Sequence, residues 1–111
     1  MDKAAIIPDR ATVDRIIALM HTCLQKQGVI PCNIALFGSF LNGNNHNESD
    51  MDIIIISETF EGRDINERIK MISNAELEVR KQYVVPMDIL LKTPQEYNNP
   101  KMKYFESEIV L

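Results

Sequence analysis

Two short motifs in the first half of the chain carry residue types suited to phosphate and metal chemistry. Gly38-Ser39 ends an apolar run, and Asp50-Met51-Asp52 precedes four consecutive isoleucines. A glycine lets the backbone bend sharply, and a serine favours the start of a helix, whose unpaired N–H groups bind phosphate. Two carboxylates one pleat apart on a strand repel each other unless a cation such as Mg²⁺ or Mn²⁺ lies between them. The sequence therefore predicts a phosphate-binding turn followed by a metal-binding carboxylate pair.

A third acid, Asp88, lies alone in the apolar stretch Tyr83–Leu91. A carboxylate in so apolar a strand is costly to bury unless it is paired, hydrogen-bonded or bound to metal. If this strand lies beside the strand of Asp50 and Asp52, the three acids form one site. An ion pair of Asp88 with Lys81 or Lys92 is the alternative.

Each motif also has an ordinary structural interpretation. Gly38-Ser39 alone is more often a simple strand-to-helix turn, and Asp50 alone can be a loop residue or a strand-start carboxylate without function. Asp52 is harder to explain in this way, because an inward acid followed by isoleucines has no place in an apolar core. The joint occurrence favours a divalent-metal nucleotide site.

The order and spacing of these motifs resemble those of the nucleotidyltransferase superfamily that shares the palm domain of DNA polymerase beta. Gly38-Ser39 is followed after ten residues by Asp50-x-Asp52, and the isolated Asp88 comes later. The resemblance extends from about residue 34 to residue 97 and is strongest to the small, stand-alone minimal nucleotidyltransferases. One element is weak alone, but the three in this order are fairly specific.

The resemblance implies a role for each matching residue. Gly38 and Ser39 match residues that hold the β- and γ-phosphates of a nucleoside triphosphate. Asp50 and Asp52 match the pair that coordinates two divalent ions, which are Mg²⁺ or, as an alternative, Mn²⁺. Asp88 matches the third acid, which shares one ion and acts as the base on the acceptor hydroxyl. The implied reaction transfers a nucleoside monophosphate to a hydroxyl and releases pyrophosphate.

The chain departs from the family pattern in the turn after Gly38-Ser39. Many relatives carry a basic residue there, whereas this chain has Phe40, Leu41 and Asn42. One phosphate contact is therefore missing, which bears on nucleotide affinity but not on metal binding. Nearby, His46 is more simply a solvated loop residue than a nucleotide contact.

Composition limits the partners and the setting. The 111 residues fit a single domain over 1–111. The net charge of −4 without a basic stripe argues against duplex DNA as a partner and favours a small molecule, a protein or an RNA end as the acceptor. Cys23 and Cys32 lack metal-ligand spacing and indicate buried thiols in a reducing compartment. With neither a signal peptide nor a membrane span in the sequence, we expect a cytoplasmic protein that does not bind membranes.

Apolar periodicity predicts the elements that position these residues. A first helix is predicted from about Asp9 to Gln27, with Gly28 as its stop. A later helix is marked by Ile65, Ile69 and Ile72, and it can break where Ser73 and Glu76 form a capping-box pattern. Pro86 makes the Asp88 strand an edge strand or places a bulge before Asp88. Strands near Ile34–Phe37, Asp50–Ile56 and Tyr83–Leu91, and a short helix at Pro94, complete an α/β domain with a small mixed β-sheet and flanking helices.

Three functions fit this pattern. The first is a Mg²⁺-dependent nucleotidyltransferase acting on a hydroxyl of a protein or small molecule; the resemblance extends to antitoxins that adenylylate a HEPN-domain toxin with ATP. The second is a catalytically inert, partner-binding module of the same fold, and the third is a metal-dependent phosphodiesterase. A protein partner or a homo-oligomer is expected, because family members often take acceptor specificity from a second component. The apolar residues of Lys101–Leu111 either fold back or meet that partner.

Overall fold

The computed structural model describes residues 9–37, 51–101 and 107–111. Its helices are α1 (Arg10–Lys26), α2 (Ile65–Gln82) and the single-turn α3 (Pro94–Tyr97), with a 3-10 turn at Glu58–Phe60. Its strands are β1 (Cys32–Phe37), β2 (Met51–Ser57), β3 (Met87–Lys92) and β4 (Ser107–Ile109). Within these ranges no helix is long and apolar enough to cross a membrane.

The four strands form one mixed sheet in the order β3-β2-β1-β4. β1 pairs antiparallel with both β2 and β4, whereas β2 and β3 are parallel and are connected through α2. This connection follows from the direction of the strands, because parallel neighbours need a crossover and a helix usually supplies it. The predicted α/β architecture with a small mixed sheet is confirmed.

Strand alternation divides the core between the two faces of the sheet. On one face, Met51, Ile53 and Ile55 pack with the buried side of α1, which includes Ile16, Met20 and other apolar residues predicted from its periodicity. On the other face, a smaller cluster forms around β1 and β2: Ala35, Phe37, Ile54 and Ile56, with the partly buried Leu90 and Tyr97. Asp52 shares this second face, since it alternates with Ile53 along β2. The second face is therefore the one that carries the predicted chemistry.

Helix α1 begins and ends where its sequence signals predict. Asp9 is the N-cap, and its carboxylate accepts a hydrogen bond from Thr12 N–H at 2.8 Å. The helix stops before Gly28, which has a φ of +86°, a conformation that residues with a Cβ rarely adopt. The hydrogen bond between the backbone and Asp9 lowers the pKa of its carboxyl.

The break that the Ser73/Glu76 pattern allowed in α2 does not occur. The helix is unbroken, because the capping box is formed by Asp64 and Glu67 at its start, while Ser73 donates its hydroxyl to the Ile69 carbonyl at 2.7 Å. The residues that marked it are also not all buried: Ile72 lies in the core, but Ile65 and Ile69 are exposed. The helix instead packs through Ile72, Ala75 and Val79, which follow the expected spacing of three and four residues.

Pro86 precedes an edge strand, as predicted. β3 is the outermost strand on its side, and its register with β2 is continuous from Met87 to Lys92, so no bulge precedes Asp88 within the strand. Two arginines of α2 donate to carbonyls of this strand: Arg68 to Leu91 at 3.1 Å and Arg80 to Met87 at 3.4 Å. These bonds satisfy backbone acceptors that an edge strand otherwise leaves unpaired.

The apolar end of the chain folds back onto the sheet. Ser107, Glu108 and Ile109 pair with Phe37, Leu36 and Ala35, and the Ile34 N–H donates to the Leu111 carbonyl at 3.0 Å. Of the two outcomes expected for this segment, folding back and meeting a partner, residues 107–111 show the first.

Candidate active site

The strand register places four side chains in one row across the second face of the sheet. Asp88 of β3 lies opposite Asp52 of β2, Asp52 lies opposite Phe37 of β1, and Phe37 lies opposite Ser107 of β4. Directly opposed residues share a face, and neighbouring strands are about 4.8 Å apart. The row is thus about 14 Å long, with two acids at one end and a serine at the other.

The two acids of this row differ in exposure. Asp52 is half-buried where β2 begins, and Asp88 is exposed on the edge strand. The expected cost of burying Asp88 therefore does not arise, because its strand lies at the rim of the sheet. Within the described residues, no ion pair involves Asp88, and Lys81 lies 3.8 Å from Glu78 instead. The alternative of a structural ion pair between Asp88 and Lys81 or Lys92 is not observed in this part of the chain.

Three of the predicted site residues lie outside the described ranges. Gly38 and Ser39 follow directly after Phe37 in the sequence, and Asp50 precedes Met51, but all three are in the segment 38–50. His46 and the residues Phe40, Leu41 and Asn42 lie there too. Among the described residues alone, no group of three His, Cys, Asp or Glu side chains converges on a metal position. What the structure brings together is the pair of Asp52 and Asp88.

This pair fits the chemistry of a hard divalent cation. Asp52 and Asp88 lie directly opposite each other on adjacent strands and on the same face, and two carboxylates at such positions favour a cation between them. Mg²⁺ prefers oxygen ligands and is commonly held by one or two carboxylates together with phosphate and water. The exposed position of Asp88 leaves the site open to a substrate.

An apolar floor continues from the row along the same face of the sheet and includes Phe37 of the row itself. Ala35 and Ile54 are completely buried, and Phe37 and Ile56 are nearly so. Tyr97 and Leu90 pack against these four residues. The floor is built on the central strands β1 and β2, so it supports Asp52 directly and Asp88 only through the pairing of β3 with β2.

Helix α3 carries Tyr97 over this floor and is fastened by a polar cluster on Glu96. Thr93 and Glu96 form a capping box, and Glu96 also accepts hydrogen bonds from Arg68 of α2, the shorter at 2.6 Å. The Arg68 side chain is only 11% exposed and stacks over Phe60, 5.8 Å from the ring centroid. The hydrogen bond from Arg68 lowers the pKa of Glu96 below its usual range. The start of α3 is therefore tied to α2.

The hydroxyl of Tyr97 reaches the far end of the row. Its oxygen lies 2.8 Å from the Ser107 hydroxyl oxygen, at hydrogen-bond distance. Sequence reasoning missed both residues, because the bond depends on where β4 pairs with β1. The only signal was the apolar character of the segment around Ser107, which indicated folding back but not its register.

The cysteines and His21 lie away from the row. Cys23 and Cys32 are free and buried in the core on the helix side, and burial raises the pKa of Cys32. His21 is half-buried on α1, with Nε2 3.1 Å from the Cys32 carbonyl oxygen. All three fit structural roles.

The domain that carries this row matches a known protein family. The family model of the nucleotidyltransferase domain matches residues 19–110, which is most of the chain. The chain belongs to the nucleotidyltransferase domain family. Nucleotidyl transfer is the general function of this family, and the superfamily predicted from the three motifs is confirmed.

Solved structures show the same fold for this nucleotidyltransferase domain. A crystal structure of a Sulfolobus solfataricus protein proposed to be a nucleotidyltransferase is 15% identical, with a TM-score of 0.57 over 95% of this chain and 90% of that one. A second protein proposed to be a nucleotidyltransferase is 20% identical, with a TM-score of 0.55 over 91% of this chain and 99% of that one. No curated protein sequence matches the chain. At these identities the likeness establishes the fold.

Proposed function

We propose that this nucleotidyltransferase domain transfers a nucleoside monophosphate from a nucleoside triphosphate to a hydroxyl of a protein or small molecule. The observation that carries the proposal is the register of β2 and β3, in which Asp52 lies directly opposite Asp88. In the proposed site Asp50, Asp52 and Asp88 hold two Mg²⁺ ions, with Mn²⁺ as a substitute. Gly38 and Ser39 bind the β- and γ-phosphates.

Each residue has a defined part in the proposed reaction. The bound metal would supply charge neutralisation at the phosphates, which is the larger part of catalysis in phosphoryl-type transfer. The acceptor oxygen forms a bond to the α-phosphorus, the bond to the bridging oxygen breaks, and pyrophosphate leaves. Asp88 accepts the hydroxyl proton on a carboxylate oxygen. Its exposure at the edge of the sheet supports this role, since a base must reach a substrate that enters from solvent.

The acceptor and the partner follow from the family resemblance. We propose that a second polypeptide or a second copy of the chain completes the acceptor site, and that the chain acts in the cytoplasm. By analogy with minimal nucleotidyltransferases, the acceptor is a HEPN-type toxin and this chain its adenylylating antitoxin. The net charge of −4 supports an acceptor other than duplex DNA.

Titration calorimetry with each of the four common ribonucleoside triphosphates tests the proposed site. We expect binding that requires Mg²⁺, disappears in EDTA and weakens at least tenfold in Asp52→Asn. Glu61→Gln is the matched control, because it removes one negative charge from an exposed turn after β2 and should bind like the wild type. Circular dichroism of both variants checks that the fold is retained.

The outcomes separate the three candidate functions. Metal-dependent binding that Asp52→Asn abolishes supports the transferase, and release of free monophosphate from the bound triphosphate would instead identify a phosphodiesterase. Absence of binding by all four triphosphates would contradict a stand-alone enzyme and favour an inert partner-binding module.

A further inference from the structure

We infer that the hydroxyl pair of Tyr97 and Ser107 donates one hydrogen bond to the terminal phosphate of the nucleoside triphosphate, an inference that rests on the proposed function. The two hydroxyl oxygens lie 2.8 Å apart. They stand on the face of the sheet that carries Asp52 and Asp88, at the opposite end of the row.

The order of the strands gives the bound triphosphate a direction. The reacting α-phosphate must lie at the acids, on β2 and β3, and Gly38-Ser39 follows the last residue of β1. β1 lies between β2 and β4. A chain of phosphates that starts at Asp52 and crosses the end of β1 therefore points toward Ser107, roughly 10 Å away across two strand spacings. The terminal phosphate is the part of the ligand nearest β4.

The hydroxyl pair has the hydrogen-bonding capacity for this contact. Each hydroxyl has one donor, and the bond between Tyr97 and Ser107 uses only one of the two. One O–H is left to donate to a phosphate oxygen. Both residues are half-buried, so this donor is neither sealed in the core nor fully hydrated.

The position of Tyr97 is well determined, as a binding residue requires. Its ring packs against the buried floor of Phe37, Ile54 and their neighbours, and its helix is fixed through the bonds of Glu96 to Arg68 and Thr93. A donor on so constrained a side chain loses little freedom when a ligand binds.

The contact predicts that the chain discriminates triphosphates from diphosphates through a hydroxyl group.

The test measures the affinity of three proteins for two ligands. The proteins are the wild type, Tyr97→Phe and Ser107→Ala, and the ligands are the nucleoside triphosphate and the nucleoside diphosphate, both with Mg²⁺, of the base that binds best. Tyr97→Phe keeps the packed ring and removes only the hydroxyl. The matched controls are Tyr83→Phe, on the helix side of the sheet, and Ser73→Ala, whose hydroxyl bonds within α2. The variant that lacks the donating hydroxyl should lose about tenfold in triphosphate affinity and little in diphosphate affinity, because a hydrogen bond to a charged group is lost, whereas the other variant keeps that donor and should lose less.

Other outcomes overturn the inference in distinguishable ways. If the wild type prefers the triphosphate and the site variants keep that preference, the Tyr97–Ser107 bond is only structural and the proposed function stands. Equal losses for triphosphate and diphosphate would assign the hydroxyls to the nucleoside or the inner phosphates. If the wild type binds no triphosphate, the proposed function fails first and the inference fails with it.

Discussion

The opposed pair of Asp52 and Asp88 predicts an unusual effect of removing an acid. Most substitutions destabilise a protein, but Asp88→Asn should stabilise this one when no metal is bound. Within the described residues the Asp88 side chain has no ion pair or hydrogen bond to lose, and its neighbour across the strand is another carboxylate. Asparagine has the same shape and removes only the charge.

The size of the effect follows from the strand spacing. Two unit charges at the strand spacing of about 4.8 Å repel by about 0.9 kcal/mol in bulk water. This value is the upper bound of the gain, because Asp88 is exposed and Asp52 has an interaction of its own. With a urea m-value of about 2 kcal/mol per M, the unfolding midpoint should rise by at most about 0.4 M. The gain should shrink in 1 M NaCl, where the Debye length of about 3 Å is shorter than the separation.

Equilibrium urea unfolding in EDTA, followed by circular dichroism, measures this change. Glu61→Gln removes the same net charge at a different exposed position and controls for the overall charge of −4. If the proposed site binds Mg²⁺, saturating Mg²⁺ should reverse the order of stability, because only the wild type keeps all the proposed ligands and gains stability from the bound ion. The reasoning is refuted if Asp88→Asn is no more stable than Glu61→Gln in EDTA at low salt.

Two further predictions concern the framework that holds the site. The pKa of Glu96 is lower in the folded state than in the unfolded state. Its carboxylate therefore stabilises the fold at pH values above the unfolded-state pKa, and this stabilisation is lost as the pH falls through the folded-state pKa. Because the side chain is 44% exposed, we expect the unfolding free energy of the wild type to exceed that of Glu96→Gln by at most about 1 kcal/mol at pH 7. In urea unfolding this gap should narrow steadily as the pH falls below 4.5, the ordinary pKa of the group, and a gap independent of pH would contradict the assignment. Ile54→Ala should lower the unfolding free energy by about 2–5 kcal/mol, because Ile54 is fully buried in the floor. The control Ile69→Ala, at a site 46% exposed, should change the unfolding free energy by less than about 0.5 kcal/mol. Equal losses for the two variants would show that the floor is not tightly packed.

Local signals predicted most of the framework because they act over a few residues. The apolar spacing of α1, its stop at Gly28, the alternation along β2 and the edge position marked by Pro86 all agree with the structure. Each reflects a constraint that the neighbouring sequence alone imposes.

Predictions failed where two signals competed or where distant segments meet. Ser73 and Glu76 match a capping box, but Ser73 bonds back to Ile69 and the helix continues, since the box of Asp64 and Glu67 already supplies its start. The bond between Tyr97 and Ser107 depends on a register between β1 and β4 that no local pattern encodes. The family motifs identified the acids, whereas the hydroxyl end of the row required the assembled sheet.

The pairing of β4 with β1 has a consequence for aggregation. β1 reads Cys-Asn-Ile-Ala-Leu-Phe, an uncharged and largely apolar strand. Among the described residues, its side away from β2 is covered by the short β4 and by the backbone of Val110 and Leu111. If β4 detaches, β1 becomes an open edge of the kind that recruits strands from other molecules. Ser107–Ile109 therefore protects the sheet from self-association, and stress that frees this segment would lead to insoluble protein before the rest of the domain unfolds.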